Sequence, residues 1–307
     1  MKVLPLLFFP LPRRSVPRRP LRPLRPRLSS AVLGAAALEL AILAGHLLIY
    51  PLGLTQERHG PVPTPGPVPP PGAVPTPGSE PDAPSTGATA LPAAGPTRPP
   101  VVLLHGLIDN RSVFVLLRRS LSRHGWRHLE SLNYSPLTRD IRTAAELLGR
   151  HIEEICARTG HHEVDIVGHS LGGLIARYYV QRLGGDHRVR TLVTLGTPHG
   201  GTAVAPAASA HPIVRQMRGD SSVIEELRRP APGCRTRFVS FWSELDQMMV
   251  PVGTARIGHP DLDAQNVRVS GIGHLALIAH PAVAAAVRAA LEAQAPAAPS
   301  SGTASVA

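Results

Sequence analysis

The stretch Gly168-His169-Ser170-Leu171-Gly172-Gly173 constrains the fold of this chain more than any other. It follows a short apolar run, Glu163–Val167, and precedes a helical pattern, Leu171–Leu183, that stops at Gly184-Gly185. A serine with glycine two positions either side, set between a strand and a helix, fits a very tight turn. Side chains at 168 or 172 would clash there, and Ser170 would be held in strained backbone at the tip. The start of the following helix then aims N–H groups and positive dipole at any negative charge developing beside the serine. A glycine-rich structural turn also satisfies G-x-S-x-G; the strand before it and the helix after it argue for the nucleophile.

The surrounding sequence alternates in the same way. Val101–Leu104, Leu129–Leu132, Glu163–Val167, Thr191–Leu195, Arg237–Trp242 and Val267–Ser270 read as six strands. Helical patterns cover Ser112–His124, Thr138–Thr159, Leu171–Leu183 and Pro281 to about Gln294. Strand–helix repetition predicts an α/β fold with a mostly parallel six-stranded sheet, helices on both faces and no large cap domain. Short apolar runs without alternation fit strands buried on both sides. By length, residues 101–294 make one domain.

A serine hydroxyl needs a base to activate it, and the base needs an acid to orient it. Gly271-Ile272-Gly273-His274 follows the last predicted strand, so His274 emerges at the same sheet edge as Ser170. Of its rivals, His280 begins a helix, His259 lies in a loop before Pro260, and His169 belongs to the turn itself. Asp246 follows the strand RFVSFW and is the expected acid. Glu244, two residues earlier, is the alternative, and Asp261 and Asp263 lie in the next loop. The order Ser, Asp, His suits a sheet of this type. Gly106 after the first strand lets the backbone turn closely, so the N–H of Leu107 joins that of Leu171 as an oxyanion hole. An ordinary His-Gly turn is the plainer reading of that loop. His105 reads as a structural hydrogen-bonder.

Together these residues resemble the α/β-hydrolase superfamily, and within it the bacterial (actinobacterial-type) lipase/esterase group with a single His-Gly oxyanion loop. The resemblance rests on LLHGL at 103–107, GHSLGG at 168–173, LGTPHGGT at 195–202, DQMMVP at 246–251 and GIGH at 271–274, in family order. The family's first two strands have no counterpart, because a proline-rich segment precedes Val101. The resemblance implies hydrolysis of carboxylic esters, with medium- or long-chain acyl groups favoured by this type of oxyanion loop. A thioesterase or lipid acyltransferase using the same triad is the alternative. A non-catalytic binding protein is disfavoured because Ser170, Asp246 and His274 are all present. The insertion after Thr202, up to Pro232, reads equally as a partial lid or acyl-pocket wall and as a plain surface excursion.

Composition matters mainly outside this domain. The formal charge of +11 is concentrated: residues 1–28 hold eight cations and no acid, whereas 101–307 hold 22 cations against 17 acids. The domain's modest excess carries no basic-aromatic stripe, so a nucleic-acid partner is not expected. Residues 29–50 are almost wholly apolar. As a helix they extend about 33 Å, enough to cross a hydrocarbon layer of ~30 Å. Only Glu39 and His46 resist. The reading is a transmembrane signal anchor, with a cleaved signal peptide as the alternative. The arginines before it place the N-terminus in the cytoplasm and the catalytic domain outside; a secreted form is the alternative. Residues 51–100 hold 16 prolines and read as an extended spacer, and 295–307 as a disordered tail. No cofactor or metal is expected, since the fifteen histidines show no ligand spacing; a calcium site at Asp261 and Asp263 has little support. A Cys156–Cys234 disulfide is left open, though the two cysteines are expected far apart in the sheet. A monomer acting on a lipid or small ester is expected.

Overall fold

The computed structural model describes residues 30–53, 98–133, 139–204, 209 and 211–293. The Arg/Pro-rich N-terminus, residues 54–97 of the proline-rich spacer and the tail 295–307 lie outside the described residues.

Six strands form one sheet: β1 (Val101–Leu104), β2 (Leu129–Leu132), β3 (Val164–His169), β4 (Val189–Leu195), β5 (Arg237–Trp242) and β6 (Asp263–Arg268). Their order is β2-β1-β3-β4-β5-β6, and every neighbouring pair is parallel. Alternate residues feed two cores. Val102, Leu104, Val164, Ile166, Leu192 and Phe238 face one apolar cluster. Val101, Leu103, Val167, Val193, Leu195, Val239 and Phe241 face the other. Both faces are covered, which is why the inner strands are continuous apolar runs.

Helix α1 (Ser30–Ile49) precedes the domain; α2 (Val115–Arg123), α3 (Ile141–Thr159) and α4 (Leu171–Arg182) alternate with the strands. Asp140 caps α3 by accepting the N–H of Arg142 at 2.7 Å, which starts that helix later than the apolar period suggested. Two short helices, α5 (Pro212–Gln216) and α6 (Ser222–Arg228), come from the insertion, and α7 (Ala276–Ala279) and α8 (Pro281–Glu292) close the chain.

The last strand corrects the sequence reading. It runs over Asp263–Arg268, with Arg237 opposite Asp263 and Trp242 opposite Arg268, rather than over Val267–Ser270. An edge strand half open to water has no apolar run to announce it, and Val267 marks only its end. Within the insertion, Val223, Ile224 and Leu227 of α6 are fully buried and join the first of the two apolar clusters. Arg142 and Tyr178 hold it by bonding Glu226, at 2.6 Å each. Both cysteines are free.

Candidate active site

The chemistry gathers at the carboxyl ends of β1, β3, β4 and β5. Ser170 directly follows the central strand β3 with φ 51° and ψ −118° and is the one non-glycine residue with positive φ among those described. Neighbouring backbone stabilises this geometry. Its N–H donates to the Leu195 carbonyl at 2.9 Å, and its carbonyl accepts from the Thr197 hydroxyl at 3.0 Å. The flanking glycines are sterically required. A Cβ on Gly168 would lie 2.5 Å from the Gly173 Cα, and one on Gly172 would lie 2.3 Å from the Leu104 carbonyl oxygen. The second contact also shows that the end of β1 presses on the start of α4. Leu107 and Leu171 therefore belong to the same sheet edge. As the first residue of α4, Leu171 has an N–H without a partner inside the helix.

His274 lies in the loop between β6 and α7, and its Nδ1–H donates to Asp246 Oδ2 at 2.8 Å. Both side chains are buried. The other oxygen of Asp246 accepts the N–H of Met248 at 2.9 Å, which fixes the carboxylate plane. The His274 ring packs against His169, the neighbour of Ser170, with centroids 4.7 Å apart. The structure thus gathers Ser170, Asp246 and His274 at one edge. Glu244 is directed elsewhere: both its oxygens take Arg268 donors, at 2.9 and 2.8 Å, and that bonding holds its carboxyl down at about 2. Among the rival histidines, His280 caps α8, and His259 bonds the Arg229 carbonyl.

Other histidines are kept neutral by burial. His169 is pushed below its ordinary value despite facing Asp109 at 3.5 Å. His199 is pushed well below and meets the Thr194 hydroxyl at 2.9 Å. His105 donates from Nδ1 to the carbonyl of Gly106 at 2.8 Å, a structural bond that shapes the loop before Leu107. Asp261 spends a carboxylate oxygen on the N–H of Ala231, and no cluster of three metal-ligating side chains occurs among the described residues.

Four neighbours of this site carried no assigned role in the sequence. Gly196, at φ 54°, lies under the His–Asp pair; a Cβ there would come within 2.9 Å of His274 Nδ1 and 3.0 Å of Asp246 Oδ2. Thr197 braces the Ser170 carbonyl. Both belong to LGTPHGGT, where the resemblance marked the segment but no residue type pointed to a task. Ser243 donates to the Ile272 carbonyl at 2.5 Å and ties the acid-bearing loop to the histidine-bearing one. Glu39, from α1, accepts the N–H groups of Leu275 and Ala276 at 2.8 Å each.

Comparison with known proteins agrees with this fold. A family model described as palmitoyl protein thioesterase matches residues 100–247. A triacylglycerol lipase of Burkholderia plantarii is 29% identical over 130 residues, and one of Pseudarthrobacter phenanthrenivorans 29% over 116. These matches cover 40% and 36% of this chain and 36% of either relative, so the chain spans about a third of the length of the curated relatives it matches. Among solved structures, the mature form of a Bacillus licheniformis lipase superimposes with a TM-score of 0.55 at 17% identity, over 64% of this chain and 93% of that one. Aspergillus fumigatus lipase B gives 0.57 at 17% identity, over 66% and 55%. With the parallel six-stranded sheet, these likenesses identify the α/β-hydrolase fold.

Proposed function

We propose that this chain, an α/β-hydrolase by fold, cleaves carboxylic esters of medium- or long-chain acids through Ser170, His274 and Asp246. The observation that carries the reading is the 2.8 Å contact between His274 Nδ1 and buried Asp246, at the edge where Ser170 is held at φ 51°.

Asp246 fixes the tautomer of His274 that leaves Nε2 free to take a proton. His274 removes the Ser170 proton as the hydroxyl oxygen attacks the ester carbonyl. The negative charge on the carbonyl oxygen meets the N–H groups of Leu107 and Leu171; one such donor contributes ~2.7–4 kcal/mol to lowering the barrier. His274 then protonates the departing alcohol, leaving an acyl group on Ser170. A water molecule, deprotonated by the same histidine, attacks the acyl carbon and releases the acid.

A second reading, thioester cleavage, draws on the family model that matches residues 100–247. The same triad serves, and only the leaving group changes. A p-nitrophenyl ester series from acetate to palmitate, run beside palmitoyl-CoA, tests the choice. A rate peak at octanoate or longer supports the ester reading, activity confined to acetate and butyrate narrows it to short-chain esters, and a kcat/KM that favours the thioester replaces it.

Residues Val32–Gly53 have a mean hydropathy of 2.1 and are long enough to cross a membrane. The exposed side chains of Leu33, Leu40, Leu43, Leu47 and Leu48 suit lipid contact, and the basic residues before them suit a cytoplasmic N-terminus. The enzyme is accordingly held at the outer face of a membrane through this helix. Sequencing the N-terminus of the exported protein tests it; a start beyond residue 53 removes the tether.

A further inference from the structure

Helix α1 has two unlike faces. Val32, Ala35, Glu39, Ile42, His46 and Ile49 recur at spacings of three and four, and all are buried or half-buried. The leucines on the rest of the surface are exposed. An apolar segment built only to meet lipid has no reason to gather its two ionisable residues, Glu39 and His46, on the one face that meets the protein.

That face is docked by specific polar contacts. At its end, Asn110 donates to the Tyr50 carbonyl at 2.8 Å and Asn133 to the Gly53 carbonyl at 2.6 Å. At its middle, each oxygen of Glu39 accepts one of two consecutive N–H groups, from Leu275 and Ala276. These follow His274 directly. On the other side of Glu39 lies Gly273, where a Cβ would come within 2.6 Å of the carboxyl carbon. Glycine there leaves room for the carboxylate immediately before the histidine.

We propose that Glu39 is a positioning residue for His274: carried on α1, it fixes the loop that presents the imidazole. The proposal rests on His274 being the base. Ser243 holds the loop upstream through the Ile272 carbonyl, and Glu39 holds it downstream through two charge-assisted bonds. Between these two anchors the imidazole is aligned with Asp246. The docked helix and a membrane-spanning one are alternative placements of the same residues, because a helix that spans buries Glu39 near mid-bilayer, far from residue 275. Activity is therefore coupled to where α1 lies.

The test uses the full chain exchanged into detergent-free buffer, where α1 has no apolar phase to enter, with kcat and KM for p-nitrophenyl octanoate, the thermal unfolding midpoint as a check on folding, and Ser170→Ala as the reference for the site. Glu39→Ala lowers kcat about tenfold, as expected for a misplaced catalytic group, with KM nearly unchanged. Glu39→Gln, which keeps one acceptor oxygen but turns an NH2 toward the second N–H, recovers only part of the loss. Gly273→Ala displaces the carboxylate and lowers kcat similarly, and the double variant Glu39→Ala with Gly273→Ala is no worse than the poorer single one. Wild-type kcat in Glu39→Ala overturns the proposal, as do multiplicative losses in the double variant or a loss that follows the unfolding midpoint alone. If Ser170→Ala stays active, the reading of the site fails; if it is inactive while Glu39→Ala matches wild type, only the role of Glu39 falls.

Discussion

Asp246 Oδ2 lies 2.8 Å from His274 Nδ1, and Glu244, two residues before that aspartate, bonds Arg268 instead. The two acids were rivals in the sequence and have separate tasks in the fold. Asp246→Asn keeps the shape but reverses the favoured histidine tautomer, and kcat is expected to fall by about 10⁴-fold. Glu244→Gln is expected to stay within about twofold of wild type, since its salt bridge is a surface one. Steady-state ester hydrolysis by the two variants checks this, and equal losses would move the acid's role away from Asp246.

Gly196→Ala tests the floor of the pair. The new Cβ meets His274 and Asp246 at 2.9 and 3.0 Å, at a positive φ that L side chains rarely adopt. Strain of this kind costs about 1–3 kcal/mol, so the variant is expected to unfold at lower denaturant and to lose kcat. Unchanged values for both would mean that the pair does not press on this glycine.

Asp165 predicts a pH effect on stability away from the site. It is buried on β3 with Arg190 on both oxygens, and burial outweighs the ion pair and raises its carboxyl from 3.8 to about 6. The folded state therefore binds this proton more tightly than the unfolded one. The contribution is fully present below pH 3.8 and is lost as pH rises through about 6. The stability of wild type relative to Asp165→Asn should fall by about 2 kcal/mol between pH 4 and 7, as urea unfolding at each pH would show. A difference that is flat with pH would rule this out.

What the sequence disclosed, and what it hid, follows from how local each signal is. The turn at Ser170 was legible because its strained backbone leaves glycines at fixed offsets, and the loop bearing His274 because a short glycine-rich stretch follows the last strand. The inner strands were legible as continuous apolar runs covered on both faces. β6 was misplaced because an edge strand exposes Asp263, Gln265 and Arg268 to water. Gly196 and Ser243 act through contacts closed by the fold, so their neighbours in sequence say nothing of their neighbours in space. Glu39 was visible only as an oddity in an apolar helix; its partners lie more than 230 residues away.

The central claim is that Ser170 is the nucleophile. The direct measurement is the initial rate of p-nitrophenyl octanoate hydrolysis by the full chain and by Ser170→Ala, both confirmed folded by circular dichroism. The account predicts a fall of at least ~10⁴-fold in kcat, with the ester still bound. A Ser170→Ala protein that hydrolyses the ester at the wild-type rate would contradict it.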